Sequence, residues 1–288
     1  MRNLFKSFLF RLRRDLTFRI TLIIGLSLAV VLTLIMFFID LGVQYLSEDP
    51  SAHYLCTGQN MLVLSLSPAQ NFGLAIPINL ISFTVLEFTQ GIIRNKIITG
   101  NSKGKIYFGL LFSGLVFTIV LIVSYVGLCV ALGSIFGKFD AHGVVVGTVN
   151  GYVSPNFIWK IIVLAIVAYL LIATVTIFFA TLLRSIGPCI PIVIILLMML
   201  YVSAYIIGMI SNTYLMGEVS DVIKKLNTVT MYINPLYSLY SFTNAEIDGV
   251  NTLAISNQAF WCEIINNLVY IAAFTVGGWL IFRKRDVK

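Results

Sequence analysis

Six stretches of about 20 residues that carry almost no charge constrain this chain more than any other feature, because a helix of that length matches the roughly 30 Å hydrocarbon layer of a bilayer. They lie at 20–39, 71–90, 107–133, 161–183, 189–210 and 264–282. The second is bent at Pro77 and holds Glu87 as its only charge. With 59% hydrophobic and 11% charged residues, the 288-residue chain has too little polar surface to cover a water-soluble domain. In lipid every backbone N–H and C=O must be satisfied within the segment, which selects helices. The expected fold is an all-α polytopic membrane protein, 1–288 forming one transmembrane domain of six transmembrane helices.

Lysine and arginine set the expected orientation. With the N-terminus in the cytoplasm, every basic residue except Lys138, Lys160, Lys224 and Lys225 falls inside, and both termini are cytoplasmic. The net charge of +7 thus follows from membrane topology and calls for no nucleic acid. Residues 1–19 place Leu4, Phe8, Leu12 and Leu16 at successive i+4 steps, with Arg2, Lys6, Arg11, Arg13 and Arg14 on the polar side. That pattern predicts an amphipathic interfacial helix on the inner leaflet leading into a retained anchor.

Outside, 40–70 reads as a polar segment without a defined element. Asn150-Gly151 between β-branched flanks predicts a hairpin turn. The segment 211–258, extracellular and amphipathic around Tyr232-Ile233-Asn234-Pro235-Leu236-Tyr237, accommodates short interfacial or re-entrant helices. The fourth and fifth spans are joined by so short a turn that they form an antiparallel hairpin, with Pro188 and Pro191 opening the fifth. Cys56 and Cys262 share the outer side and are either paired or free.

Catalytic constellations are missing. Gly100-Asn101-Ser102-Lys103-Gly104-Lys105 has its glycines one residue too close for a phosphate-binding loop, with no Ser or Thr after the lysine. Read as Gly-x-Ser-x-Gly, it has no base in reach, since His53 and His142 lie on the other side. No His or Cys spacing fits a metal. The spans lack the acids and bases that ion-coupled carriers use, Glu87 excepted. The chain is expected to be no enzyme and to draw its energy from elsewhere.

The informative stretch runs from the second span to the third: Glu87-Phe88-Thr89-Gln90-Gly91-Ile92-Ile93-Arg94-Asn95-Lys96-Ile97-Ile98-Thr99-Gly100-Asn101-Ser102-Lys103. Gly91 lets the chain leave the membrane, Ile93 and Ile97 sit one turn apart as a packing stripe, and Arg94, Asn95 and Lys96 can bond a partner. An acid, a glycine, a short basic helix and then Gly and Ser-Lys before the next span resembles the intracellular coupling segment of ABC type-2 exporter permeases. The resemblance implies that Glu87, Gly91, Ile92, Ile93, Arg94, Asn95, Lys96, Ser102 and Lys103 couple the spans to an ABC ATPase subunit present in two copies, which holds the ATP and magnesium. It further implies a second permease, identical or homologous, and export of an amphipathic substrate such as an antimicrobial peptide, a lipid-like molecule or a drug across the cell membrane. The alternative is a passive channel or secondary carrier, for which a polar pore lining would be the mark.

Overall fold

The computed structural model describes residues 14–46, 56–67, 75–139, 144–146, 149–153, 155–214, 246–248, 252–255 and 257–284, together with 7, 8, 10, 225, 229, 230 and 233–235. Among them, eight helices account for nearly all the regular structure: α1 (Leu16–Leu46), α2 (Gly58–Leu66), α3 (Ala75–Thr89), α4 (Ile92–Ile98), α5 (Lys103–Gly137), α6 (Pro155–Leu183), α7 (Ile186–Tyr214) and α8 (Asn257–Lys284). The architecture is that of a helical, multi-pass membrane protein. Five helices are long and apolar enough to cross a bilayer, and the pair α3 and α4, bent by 54°, is a sixth candidate.

The centre is α6. Its most apolar stretch is 67% buried against 17% for that of α1, α7 or α8. A helix apolar on every side and buried in a bundle needs small residues where neighbours press close, and Ala165, Ala168, Ala173 and Ala180 are all fully buried. The outer helices instead leave Ile, Val, Leu and Phe facing outward. Between α6 and α7 the chain turns on Arg184 and Ser185 alone, with Arg184 in the left-handed region at φ 52°. Pro188 falls in the first turn of α7, where no intrahelical N–H is needed, and Pro191 lies inside the helix.

The stretch expected as the second span differs from its expectation. Helix α3 has 15 residues, about 22 Å at 1.5 Å per residue, and cannot span the layer alone. Pro77 stands in its first turn and starts the helix instead of bending it. The stretch expected to be an external polar segment instead holds α2, buried through Asn60, Met61, Val63, Ser65 and Leu66. A Cβ on Gly137 of α5 would overlap the Cys56 carbonyl, and one on Gly133 would meet Met61 Cγ at 2.6 Å and Thr57 O at 3.1 Å. Matching four-residue steps in opposite senses make α2 antiparallel to the far end of α5. Near its other end, α5 packs Gly114 against Leu80 of α3, at 3.4 Å from a Cβ.

A small four-stranded sheet, ordered β1-β2-β4-β3, adds strands to an otherwise helical chain. Strand β1 (Val144–Val146) pairs antiparallel with β2 (Val149–Val153) in the register Val146↔Val149, and β3 (Glu246–Asp248) pairs with β4 (Thr252–Ala254). The hairpin therefore connects through 147–148, outside the described residues, while Asn150 and Gly151 lie within β2. The cause is the second neighbour: Tyr152 and Val153 are taken up in parallel pairing with Thr252 and Leu253. These parallel strands lead directly into α6 and α8, which run side by side in one direction.

Most of 211–258 lies outside the described residues. Where it is described, Asn234 Nδ2 donates to Leu200 O at 2.7 Å and to Ser203 Oγ at 3.1 Å, and Tyr270 OH donates to Ile233 O at 2.9 Å. Leu200 lies 14 residues before the end of α7, so residues 233–234 dip beside the middle of that helix, as a re-entrant segment does. Helix α8 starts at Asn257, earlier than the expected 264, and so takes Glu263 into its buried face. Cys56 and Cys262 are both free thiols.

Candidate coupling site at the basic end

The elbow between α3 and α4 begins with Gly91, the N-cap of α4, in the left-handed conformation at φ 67° that disfavours side chains with a Cβ. Gly91 N donates to Phe88 O at 3.1 Å to close α3, and Asn95 N donates to Gly91 O at 3.0 Å to open α4. The turn folds the acid of α3 back on the base of α4. Lys96 Nζ donates to Glu87 Oε2 at 2.9 Å, with the Glu87 side chain fully buried and that of Lys96 only 13% exposed. The ring of Phe8, itself fully buried, covers Lys96 with its centroid 3.3 Å from Nζ. A buried carboxylate paired with an ammonium, with an aromatic face over the cation, is a rigid joint.

The nine residues of the expected coupling surface divide into two groups. Ile93 is fully buried and Ile97 packs half-buried on the same core, so their stripe holds α4 against its own chain. Glu87, Gly91 and Lys96 build the elbow, and Ile92 is half-buried beside it. Ser102 is the N-cap of α5, accepting from Lys105 N at 3.4 Å, and Lys103 Nζ donates to Arg283 O at 3.4 Å, tying α5 to the end of α8. Arg94 and Asn95 are exposed, and Ile98, one turn on from Arg94, is 72% exposed. Arg94, Asn95 and Ile98 therefore share the outward face of α4.

Behind the elbow lies an aromatic joint that the sequence did not single out. The Phe282 ring of α8 sits 5.9 Å from Phe88 of α3 and 5.9 Å from Tyr107 of α5, while the Arg184 guanidinium lies 5.1 Å from the Phe88 centroid. Gly278 leaves room for the Tyr107 hydroxyl, which a Cβ there would overlap. Displacing α3 at the elbow thus presses on α5, on α8 and on the α6–α7 turn. The contacts are long-range in sequence, and only the apolar stripe holding Phe8 and the aromatic residues near each span end foreshadow them. No set of three His, Cys, Asp or Glu side chains forms a metal cluster among the described residues. Comparison with known protein families, with curated proteins and with solved structures finds no match.

Proposed function

We propose that the chain is the permease subunit of an ATP-driven ABC exporter of the type-2 class, and that α4 is the element on which a separate ATPase subunit acts. The observation that carries this reading is the outward face of α4, where Arg94, Asn95 and a largely exposed Ile98 stand on an elbow whose inner side is locked by Glu87, Lys96 and Ile93. An exposed apolar side chain beside a cation and an amide is the composition of a protein contact. The rigid joint behind it would carry the partner's movement into the spans.

In this reading the chain crosses the membrane six times, α2 and α3 forming one crossing in two pieces. Antiparallel packing of α2 on the far end of α5, and of α3 on its near end, supports that count. The basic end faces the cytoplasm with both termini, following the lysine and arginine bias. Two copies of the ATPase, holding ATP and magnesium, and a second permease complete an exporter in the cell membrane. Its substrate is amphipathic, with an antimicrobial peptide, a lipid-like molecule or a drug as the candidate classes.

The test is capture of the tagged full-length chain from its native membrane in mild detergent, followed by mass spectrometry and an ATPase assay. Recovery of a nucleotide-binding subunit in stoichiometric amount supports the exporter. Its consistent absence from a well-folded preparation favours a carrier, for which the buried Lys160 and Glu263 would supply the ionisable groups.

A further inference from the structure

Helix α8 carries a tryptophan near each end. Trp261 and Trp279 stand 18 residues apart, about 27 Å of helix, which is close to the thickness of the hydrocarbon layer. Trp261 is exposed at the sheet end, where the exposed Trp159 of α6 packs its ring 4.9 Å from that of Phe260. Tryptophans at the two ends of a span mark the headgroup levels. Trp279 therefore sets that level at the basic end.

At this level α5 and α8 meet closely. A Cβ on Gly104 of α5 would stand 3.1 Å from the indole Nε1 of the half-buried Trp279. The Arg283 guanidinium lies over the same indole, 5.7 Å from its centroid. Lys105, Arg283 and Lys284 are exposed, and the Trp279 N–H has no acceptor among the described residues. The mouth of the α5–α8 groove thus offers N–H donors from both helices. Over 103–105 and 283–286 the sequence sets five cations against Asp286 alone, which lies outside the described residues. The other acids of this end are drawn elsewhere, as Glu87 accepts from Lys96 and Asp15 from Thr17 N.

Below the mouth the groove turns apolar. Phe108 follows Lys105 by one turn, and Leu280 and Val276 precede Lys284 by one turn and two, all three exposed. Donors at the headgroup level above apolar side chains in the hydrocarbon layer match an anionic amphipath, and a free phosphate would use the mouth alone. We propose that this groove, with Lys105, Trp279 and Arg283 at its mouth, binds the phosphate of an anionic phospholipid whose chains lie along Phe108, Leu280 and Val276. The site goes beyond the exporter reading and needs no ATPase. Its lipid fastens α5 to α8 beside the tie from Lys103 to Arg283 O, behind the aromatic joint of the elbow.

The test is native mass spectrometry of the full-length chain in detergent micelles, offered phosphatidylglycerol and phosphatidylcholine of identical acyl chains in equal amounts. Phosphatidylglycerol is expected to be retained about tenfold over phosphatidylcholine. Lys105→Gln and Arg283→Gln should each lower that ratio about threefold, and together bring it to parity, with melting temperatures kept within a few degrees of wild type. Trp279→Phe, which deletes one donor and keeps a ring beneath Arg283, should lower it about twofold. Arg14→Gln removes a cation of the same end whose guanidinium stands over Phe10 instead, and should leave the ratio unchanged. Parity in the wild type overturns the site, and so does an equal loss in Arg14→Gln and Arg283→Gln, which would reduce the preference to the general charge of this end. Displacement of the lipid by an equal concentration of glycerol phosphate overturns it as a lipid site. Should the double variant fail to fold, Trp279→Phe decides, and an unaltered ratio there overturns the proposal.

Discussion

Lys96 reaches back across nine residues to place Nζ 2.9 Å from the buried Oε2 of Glu87. The spacing fits no single helix, and the two side chains meet because the 54° bend at Gly91 turns α4 onto α3. Lys96→Met leaves the Glu87 carboxylate buried without its ammonium, a loss expected toward the low end of about 3–5 kcal/mol. Glu87→Gln combined with Lys96→Met should recover most of it. Thermal unfolding of the four members of this double-mutant cycle in detergent measures the coupling, and additive losses would remove the pair from the elbow's support.

Gly137 and Gly127 predict opposite signs for one substitution. A Cβ at Gly137 strikes the backbone of Cys56, which cannot rotate away, so Gly137→Ala should cost about 1–3 kcal/mol. At Gly127 nothing lies within 4 Å, and alanine there should be neutral or stabilising by about 0.5–1 kcal/mol. Comparison of melting curves for the two variants checks the α2–α5 contact directly.

Cys56 tests the same region chemically. Burial, and next the negative charge of Asp40, push its thiol up to about 11. A raised value keeps the thiol protonated, and only the thiolate alkylates, so at pH 8 iodoacetamide should modify the half-buried Cys262 well before Cys56. Cys56 labelling should accelerate as pH climbs toward 11, and Asp40→Asn should bring that acceleration to lower pH. Mass spectrometry of timed samples gives both rates.

Arg94→Glu reverses the charge on the outward face of α4 without touching its buried side. Membrane insertion and melting temperature should remain as in the wild type, while capture of an ATPase subunit falls at least about tenfold. Unchanged capture removes Arg94 from the docking surface. Ile98→Ser should weaken capture with the fold likewise intact.

The long apolar windows were legible because burial in lipid leaves a signal of about 20 residues, and five of the six lie inside helices that meet that length. Helix α2 was not foreseen because it has only nine residues and carries Asn60 and Ser65, whose polarity is hidden by burial. Gly133 and Gly137, four apart within an apolar run, were the available sign of that close approach. Glu263 interrupted the last charge-free window for a similar reason, as its charge is buried on the face that meets α6. At the elbow, the residue types of the joint were visible, but which side of α4 turned inward depended on Gly91 and on Phe8, far away in the chain.

The nine residues of α2 span about 13 Å, too little to partition into a bilayer unaided as the chain emerges from the ribosome. Its lodging against α5 needs Gly133 and Gly137, which are synthesised some 70 to 80 residues later than Met61 and Thr57. On the proposed reading of α2 and α3 as one crossing, biogenesis runs out of sequence order: α5 enters before α2 is drawn into place, so that a truncation before Gly133 should strand residues 58–66 at the surface.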